Sequence, residues 1–424
     1  MGNKKLITNI LTFGFGEFLN KLIPFILLPI LTNYLTPEEY GYVTIYSAAL
    51  SFLLIIISLS LQANVSVFYF KVDKYKLSKI ISSSIAISFI ALIIIQVILL
   101  ASQSLISRYY DLEINWLVIL AFTAFFQTIG LFYLTLLRVK GKLKHYIVFQ
   151  ISLTLINAAL SLFFVILLNY SWQGRLSGIS VGIILLGLVA LLQLNRNKLA
   201  SLHSIKKDVI YESLKFSVPL IVHAISSWIK SSLDKILLMG YLTITAAGEY
   251  AVMFQMCSVL LIFFMMLNQV LQPELFKVLK EKKTGYESQL KKVIYCLLIG
   301  IVFVSYCFYL VLPYIYQLLI DERYVYNNDI ALLLISAFCM QGFYLVFVNF
   351  LFFAEKTKNI GFISLVNGFC HVLLGFWLIP MYGVKGAAWL AFLSLTQFTF
   401  FIIYSVYKNK LLPHQLVKSA GTFH

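Results

Sequence analysis

The chain is short of charge, and shortest of acid. Only 12% of its 424 residues are Asp, Glu, Lys or Arg, and 17 acidic residues face 33 basic ones, where a soluble domain carries about 25% charge. So little polar surface excludes both a soluble globular enzyme and a solvated disordered chain. Cysteine is scarce as well. Cys257, Cys296, Cys307, Cys339 and Cys370 all lie in apolar runs without CxxC spacing, which excludes a disulfide scaffold and leaves them as small core hydrophobes. No GxxxxGKS or GxxxxGKT segment, no HExxH, no GxSxG and no cluster of Cys and His occurs. Nucleotide hydrolysis, zinc hydrolysis and serine-nucleophile chemistry therefore have no sequence basis. We expect no catalytic residue, no metal and no cofactor.

What the chain has in abundance is apolar length. Hydrophobic residues make up 61% of it, and its mean hydropathy is +0.90. A spanning helix needs about 20 apolar residues. Twelve stretches qualify: 7–33, 41–68, 79–104, 114–137, 146–169, 175–195, 212–240, 247–275, 292–319, 330–354, 359–380 and 385–407. The expectation is an all-α integral membrane protein whose loops are too short to form a separate soluble domain. The opening MGNKKLITNILTFGFGE lacks a small-residue cleavage site and runs into the first apolar stretch, so it reads as a first span rather than a removed signal.

The net charge of +16 does not point to nucleic acid, because the basic residues fall between apolar runs rather than clustering on one soluble face. They fall there unevenly. One set of alternate loops, with both termini, holds 25 Lys and Arg; the opposite set holds four, Arg108, Arg175, Arg323 and Lys385. By the positive-inside rule both termini are cytoplasmic. Four basic residues remain inside spans: Lys21, Lys215, Lys230 and Lys235. Lys215 sits near the cytoplasmic start of its span and can snorkel to the interface.

The spans also repeat. The first ends in LTPEEYGYV and the seventh in LTITAAGEY, each with Leu-Thr, four residues and Gly, at an offset of 207 residues. Six spans separate the two, so the halves share a topology. We expect two six-helix bundles, residues 1–200 and 201–424, around a central cavity.

Helices 1 and 7 of that repeat carry the unusual charges. His223, Ser227, Lys230 and Asp234 step by four, three and four residues along one stripe, and Lys230 and Asp234 are spaced to pair. In span 1, Glu17 and Lys21 have the same i,i+4 spacing in its better orientation. A charge at the bilayer centre costs about 2.5–3.5 kcal/mol even on the lenient insertion scale, and such residues usually face a cavity or pathway. Two readings stay open: internally neutralised pairs that tie helices together, and the lining of a water-filled cavity. With Lys235 there are three bases to two acids, and a cavity with surplus positive charge suits a phosphate-bearing substrate. Gly174, Gly178 and Gly182 form two GxxxG steps, which read as close helix packing. The scattered histidines read singly as interface or core residues.

Three stretches, PILTNYLTPEEYGYV (29–43), SVPLIVHAISSWIKSSLDKILLMGYLTITAAGEYAV (217–252) and PMYGVKGAAWLAFLS (380–394), resemble the polysaccharide-transporter, or Wzx-like, branch of the multidrug/oligosaccharidyl-lipid/polysaccharide (MOP) exporter superfamily. The second is the most specific, with Pro219, Asp234-Lys235 and Gly248-x-Tyr250. The resemblance implies a flippase in the bacterial inner membrane that moves an undecaprenyl-pyrophosphate-linked oligosaccharide outward for O-antigen, lipopolysaccharide or capsule assembly. Lys21, Lys230 and Lys235 would then meet the pyrophosphate, Glu17 and Asp234 would serve coupling or pairing, and His223 and Ser227 would line the cavity. The implied partners are the lipid-linked oligosaccharide, H+ or Na+, the lipid bilayer and glycan-assembly proteins, with no nucleic acid. A cation-coupled multidrug exporter and a membrane glycan polymerase or ligase are the rival readings.

Overall fold

The structure is a computed structural model that describes the backbone of residues 2–103, 114–201, 205–281 and 286–412. The side chains of residues 2–15, 17, 18 and 207 lie outside the described set. Among the described residues every regular element is helical. In chain order these are α1 (Gly2–Tyr34), α2 (Pro37–Ser58), α3 (Gln62–Phe68), α4 (Lys74–Ala101), α5 (Ile114–Val139) and α6 (Leu143–Leu162), which ends in a π turn at Phe163–Leu167. They continue as α7 (Ser171–Arg196), α8 (Lys207–Tyr241), α9 (Ile244–Glu281), α10 (Tyr286–Leu319), α11 (Asn328–Phe353) and α12 (Thr357–Lys408).

Ten of these are long and apolar enough to cross a membrane, and α1 adds the shorter apolar stretch Leu19–Tyr34. The 52-residue α12 is two helices joined at a kink, where Gly383 takes φ 60 and ψ −135, a conformation open to glycine because it lacks a Cβ. Counting α12 twice and α1 once, the protein is all-α with twelve membrane helices, as its apolar runs require. One boundary is corrected. The stretch 41–68 is not one helix: Leu59 and Ser60 take positive φ of 46 and 57, so α2 stops at Ser58 and α3 starts afresh. The Ser60 amide donates to Ser58 Oγ at 3.4 Å, a local side-chain bond that competes with the helical ladder.

The chain gathers into two compact units. One comprises the residues before Thr36 together with Tyr42–Trp228; the other comprises Thr36–Gly41 and the residues from Ile229 onward. In the first, α6 and α7 touch along the glycine stripe. A Cβ on Gly178 would lie 2.5 Å from Ser161 Cα, one on Gly182 3.1 Å from Asn157 Cα, and one on Gly174 2.9 Å from the Phe164 carbonyl carbon. The two GxxxG steps are a packing surface, as their spacing predicts.

The second unit explains the Leu-Thr-x4-Gly repeat. Thr36 and Thr243 occupy equivalent places and both cap helices. The Glu39 amide donates to Thr36 Oγ1 at 3.3 Å while the Thr36 amide donates to Glu39 Oε2 at 2.8 Å, a capping box for α2. The Ala246 amide donates to Thr243 Oγ1 at 3.1 Å at the start of α9. Five residues on, a Cβ at Gly41 would overlap the Ile244 carbonyl oxygen, and one at Gly248 would overlap the Pro37 carbonyl oxygen. At the repeat offset Pro37 corresponds to Ile244 and Gly41 to Gly248, so each repeat's glycine receives the other's carbonyl. That reciprocity is what a two-fold relation between repeats demands.

Candidate functional site

Helix α8 passes from the first unit to the second between Trp228 and Ile229. The polar stripe is therefore shared. His223 and Ser227, in the first unit, are exposed, and Ser227 Oγ donates to its own helix at the His223 carbonyl, 3.1 Å. Lys21, also in the first unit, is half-buried. The side chain of Glu17 lies outside the described residues.

In the second unit, Lys230, Asp234 and Lys235 do not form the expected i,i+4 pair. Asp234, buried with its side chain 4% exposed, takes Lys235 as its partner, with Lys235 Nζ 3.3 Å from Asp234 Oδ1. Lys235 Nζ also donates to the Ser231 carbonyl at 2.7 Å and stands 4.5 Å over the Phe254 ring of α9. Lys230 turns away from Asp234. Its Nζ donates to Ser364 Oγ of α12 at 2.9 Å and lies 4.7 Å over the Phe398 ring. The reason is directional: helical side chains lean toward the N-terminus, so a Lys that precedes its acid by four residues leans away from it, the poorer orientation for such a pair. A hydroxyl and an aromatic face offer Lys230 weaker partners than a carboxylate. This half-buried ammonium thus sits in the membrane region with no ion pair among the described residues, two lysines here standing against one aspartate.

Two contacts set the register of α8 on the first segment of α12. Lys230 meets Ser364, and Leu237 Cδ1 lies 3.0 Å from where a Cβ on Gly375 would sit. Asp234 is three residues before Leu237 and His371 is four before Gly375, so at 1.5 Å of rise per residue they sit at nearly the same level. His371 is indeed electrostatically coupled to Asp234, Lys230 and Lys235. It is 3% exposed, and neither ring nitrogen has a hydrogen-bond partner. The sequence alone reads His371 singly as an interface or core residue. Its burial fits that reading, but its neighbours come from a distant helix, and no local spacing could reveal them.

Other polar chains resolve into packing. Asn349 Nδ2 donates to Asn268 Oδ1 at 2.7 Å, and Gln272 Nε2 donates to Asn349 Oδ1 at 2.9 Å, tying α9 to α11. Arg175, counted among loop residues by sequence, instead lies within α7. There its Nη1 donates to Asn157 Oδ1 and Ser161 Oγ of α6, at 2.6 and 2.5 Å, across the glycine interface. Among the described residues no group of three or more His, Cys, Asp or Glu side chains is arranged to hold a metal ion.

The fold defines the class. It matches the inward closed conformation of the lipid II flippase MurJ with a TM-score of 0.74 at 14% identity, covering 93% of this chain and 87% of that one. It also matches an inward-facing multidrug resistance MATE family transporter of the MOP superfamily with a TM-score of 0.69 at 11% identity, covering 95% and 96%. This is a multi-pass membrane protein with the fold of MOP-superfamily transporters. The chain belongs to the polysaccharide biosynthesis protein family, whose sequence model matches residues 6–279. Its relatives include a Haemophilus influenzae protein named for the Lsg locus, 26% identical over 363 residues, 84% of this chain and 87% of that protein. Another is the Staphylococcus aureus capsular polysaccharide biosynthesis protein CapF, 22% identical over 414 residues, 93% and 97% of the two chains.

Proposed function

We propose that the protein is a flippase that carries undecaprenyl-pyrophosphate-linked oligosaccharide units across the bacterial inner membrane for O-antigen or capsule assembly. It works by alternating access between its N-terminal and C-terminal halves, residues 1–200 and 201–424. Both termini face the cytoplasm. Lys230, Lys235 and Lys21 attract the pyrophosphate, Asp234 holds Lys235, Glu17 serves coupling or pairing, and His223 and Ser227 line the path. The observation that carries this reading is Lys230, an intramembrane ammonium whose partners are a hydroxyl and an aromatic ring rather than an acid. Such a charge costs free energy to keep in a membrane, and an anionic substrate gives it a counter-charge. Membership of a polysaccharide biosynthesis family and a fold shared with a lipid II flippase support a lipid-linked glycan as that anion.

The fold is shared with multidrug transporters as well, which makes a multidrug exporter the rival reading. A cationic drug, however, would meet more lysines than acids in this cluster. Expression in a strain lacking its own O-antigen flippase tests the reading. Restored surface glycan with unchanged drug susceptibility is the expected result. Drug resistance without restored glycan would favour the rival.

A further inference from the structure

We propose that His371 is a proton-binding site coupled to the anion site at Lys230 and Lys235, so that arrival of the anionic head group brings a proton onto the imidazole. This rests on the reading above and adds a coupling group to it.

The starting observation is an unmet need. A neutral imidazole carries one N–H donor and one acceptor nitrogen, and in His371 both are buried without a partner. Buried polar groups are nearly always satisfied, and the exceptions call for an explanation. An ionisable side chain inside a membrane protein is often a relay or binding group. The charged groups facing His371 are Asp234, Lys230 and Lys235 of α8. Helix α9 contributes the buried Tyr250 phenol, which donates to the Ala387 carbonyl at 3.3 Å and interacts with Asp234. Helix α11 contributes Tyr344, stacked at 4.9 Å on the Phe398 ring that carries Lys230. The second segment of α12 has no ionisable side chain between residues 386 and 403.

In this constellation a proton and an anion help one another. With the ring neutral, the two lysines and Asp234 sum to one positive charge, and Asp234 is spent on Lys235. A proton on His371 raises the sum to two, which favours a pyrophosphate. Linkage makes the effect reciprocal: by whatever factor the proton tightens anion binding, the anion tightens proton binding. The proton comes from solvent and returns to it when the anion leaves. No other bond is made or broken.

The test uses the purified full-length chain in detergent at pH 7.5 in weak buffer, with a pH-indicator dye and undecaprenyl pyrophosphate as probe. At that pH the probe is largely ionised already, since a second phosphate ionisation falls near pH 6. The wild-type chain should take up a proton, up to one per probe bound. His371→Asn and His371→Gln should still bind the probe but take up severalfold less. A Lys230→Arg/Lys235→Arg chain, whose guanidinium groups cannot titrate, should keep the uptake, and it decides the matter even if the histidine variants fail to fold. Uptake that vanishes in an arginine chain that still binds the probe, or persists in both histidine variants, assigns the proton to a lysine and overturns the proposal. So does binding without uptake in the wild type. Failure of the wild type to bind the probe at all would instead sink the lipid-linked substrate.

Discussion

Lys230 and Lys235 stand five residues apart on one helix and differ in what they have to spend. Lys235 is neutralised by Asp234, whereas Lys230 leans on Ser364 and Phe398. Lys230→Ala should therefore weaken binding of a polyprenyl pyrophosphate by about 1.5–3 kcal/mol, the worth of a charged hydrogen bond, and Lys235→Ala should weaken it less. Isothermal titration on the two purified variants checks the order; equal losses would show that Asp234 does not discriminate between the lysines. Asp234→Asn should tighten binding by freeing Lys235 while lowering the melting temperature, because it strips the half-buried Lys235 ammonium of its ion-pair partner. The four-three-four spacing made this stripe legible in the sequence, since helical periodicity is local. Partner choice was not legible. It depended on the lean of Lys230 and on Ser364, Phe398 and His371, all from a helix packed against α8 in three dimensions and far along the chain.

At the scale of elements, apolar run lengths were enough to find the helices, because lipid forces each span to satisfy its own backbone. They missed the break at Leu59 and Ser60, which rests on two positive φ values and is signalled in sequence only by two serines inside an apolar run. The Leu-Thr-x4-Gly repeat was visible as a pattern, but its physical content, a capping threonine and a glycine that admits the other repeat's carbonyl, needed coordinates. Gly41→Ala and Gly248→Ala should each destabilise the protein by about 1–3 kcal/mol, the usual cost of forcing extra carbon into a filled contact. Because the two glycines share one crossing, the double variant should lose less than the sum, as melting temperatures in detergent will show; strict additivity would place the two sites apart. The short connection after α10 offers a pH test. The Arg323 guanidinium, donating to Asp321 Oδ1 at 2.6 Å, holds that carboxyl below its ordinary range. A depressed carboxyl contributes its stabilisation above its unfolded value and loses it as pH falls through the folded one. Protection of 320–326 against hydrogen exchange, taken relative to the intrinsic rate at each pH, should thus hold from neutral pH down through the usual carboxylate range and fall only in stronger acid, while Asp321→Asn should lower it at neutral pH.

For the whole molecule, the distribution of 25 basic residues against four predicts that Lys283 is cytoplasmic and Asp329 external. Single-cysteine replacements at the two sites, in a chain without its native cysteines, should react oppositely with an impermeant thiol reagent on intact cells. Equal labelling would contradict the topology. Transport itself is measured most directly as translocation by the purified protein in proteoliposomes. An undecaprenyl-pyrophosphate-linked oligosaccharide is placed in one leaflet, and its arrival in the other is read by a membrane-impermeant glycan-modifying enzyme. Movement should run well above that of protein-free vesicles and fall sharply with Lys230→Glu in equally well folded protein. Movement no faster than in empty vesicles, with the wild-type chain folded and the lipid-linked glycan matched to its source, would show that the protein is not a flippase for that lipid.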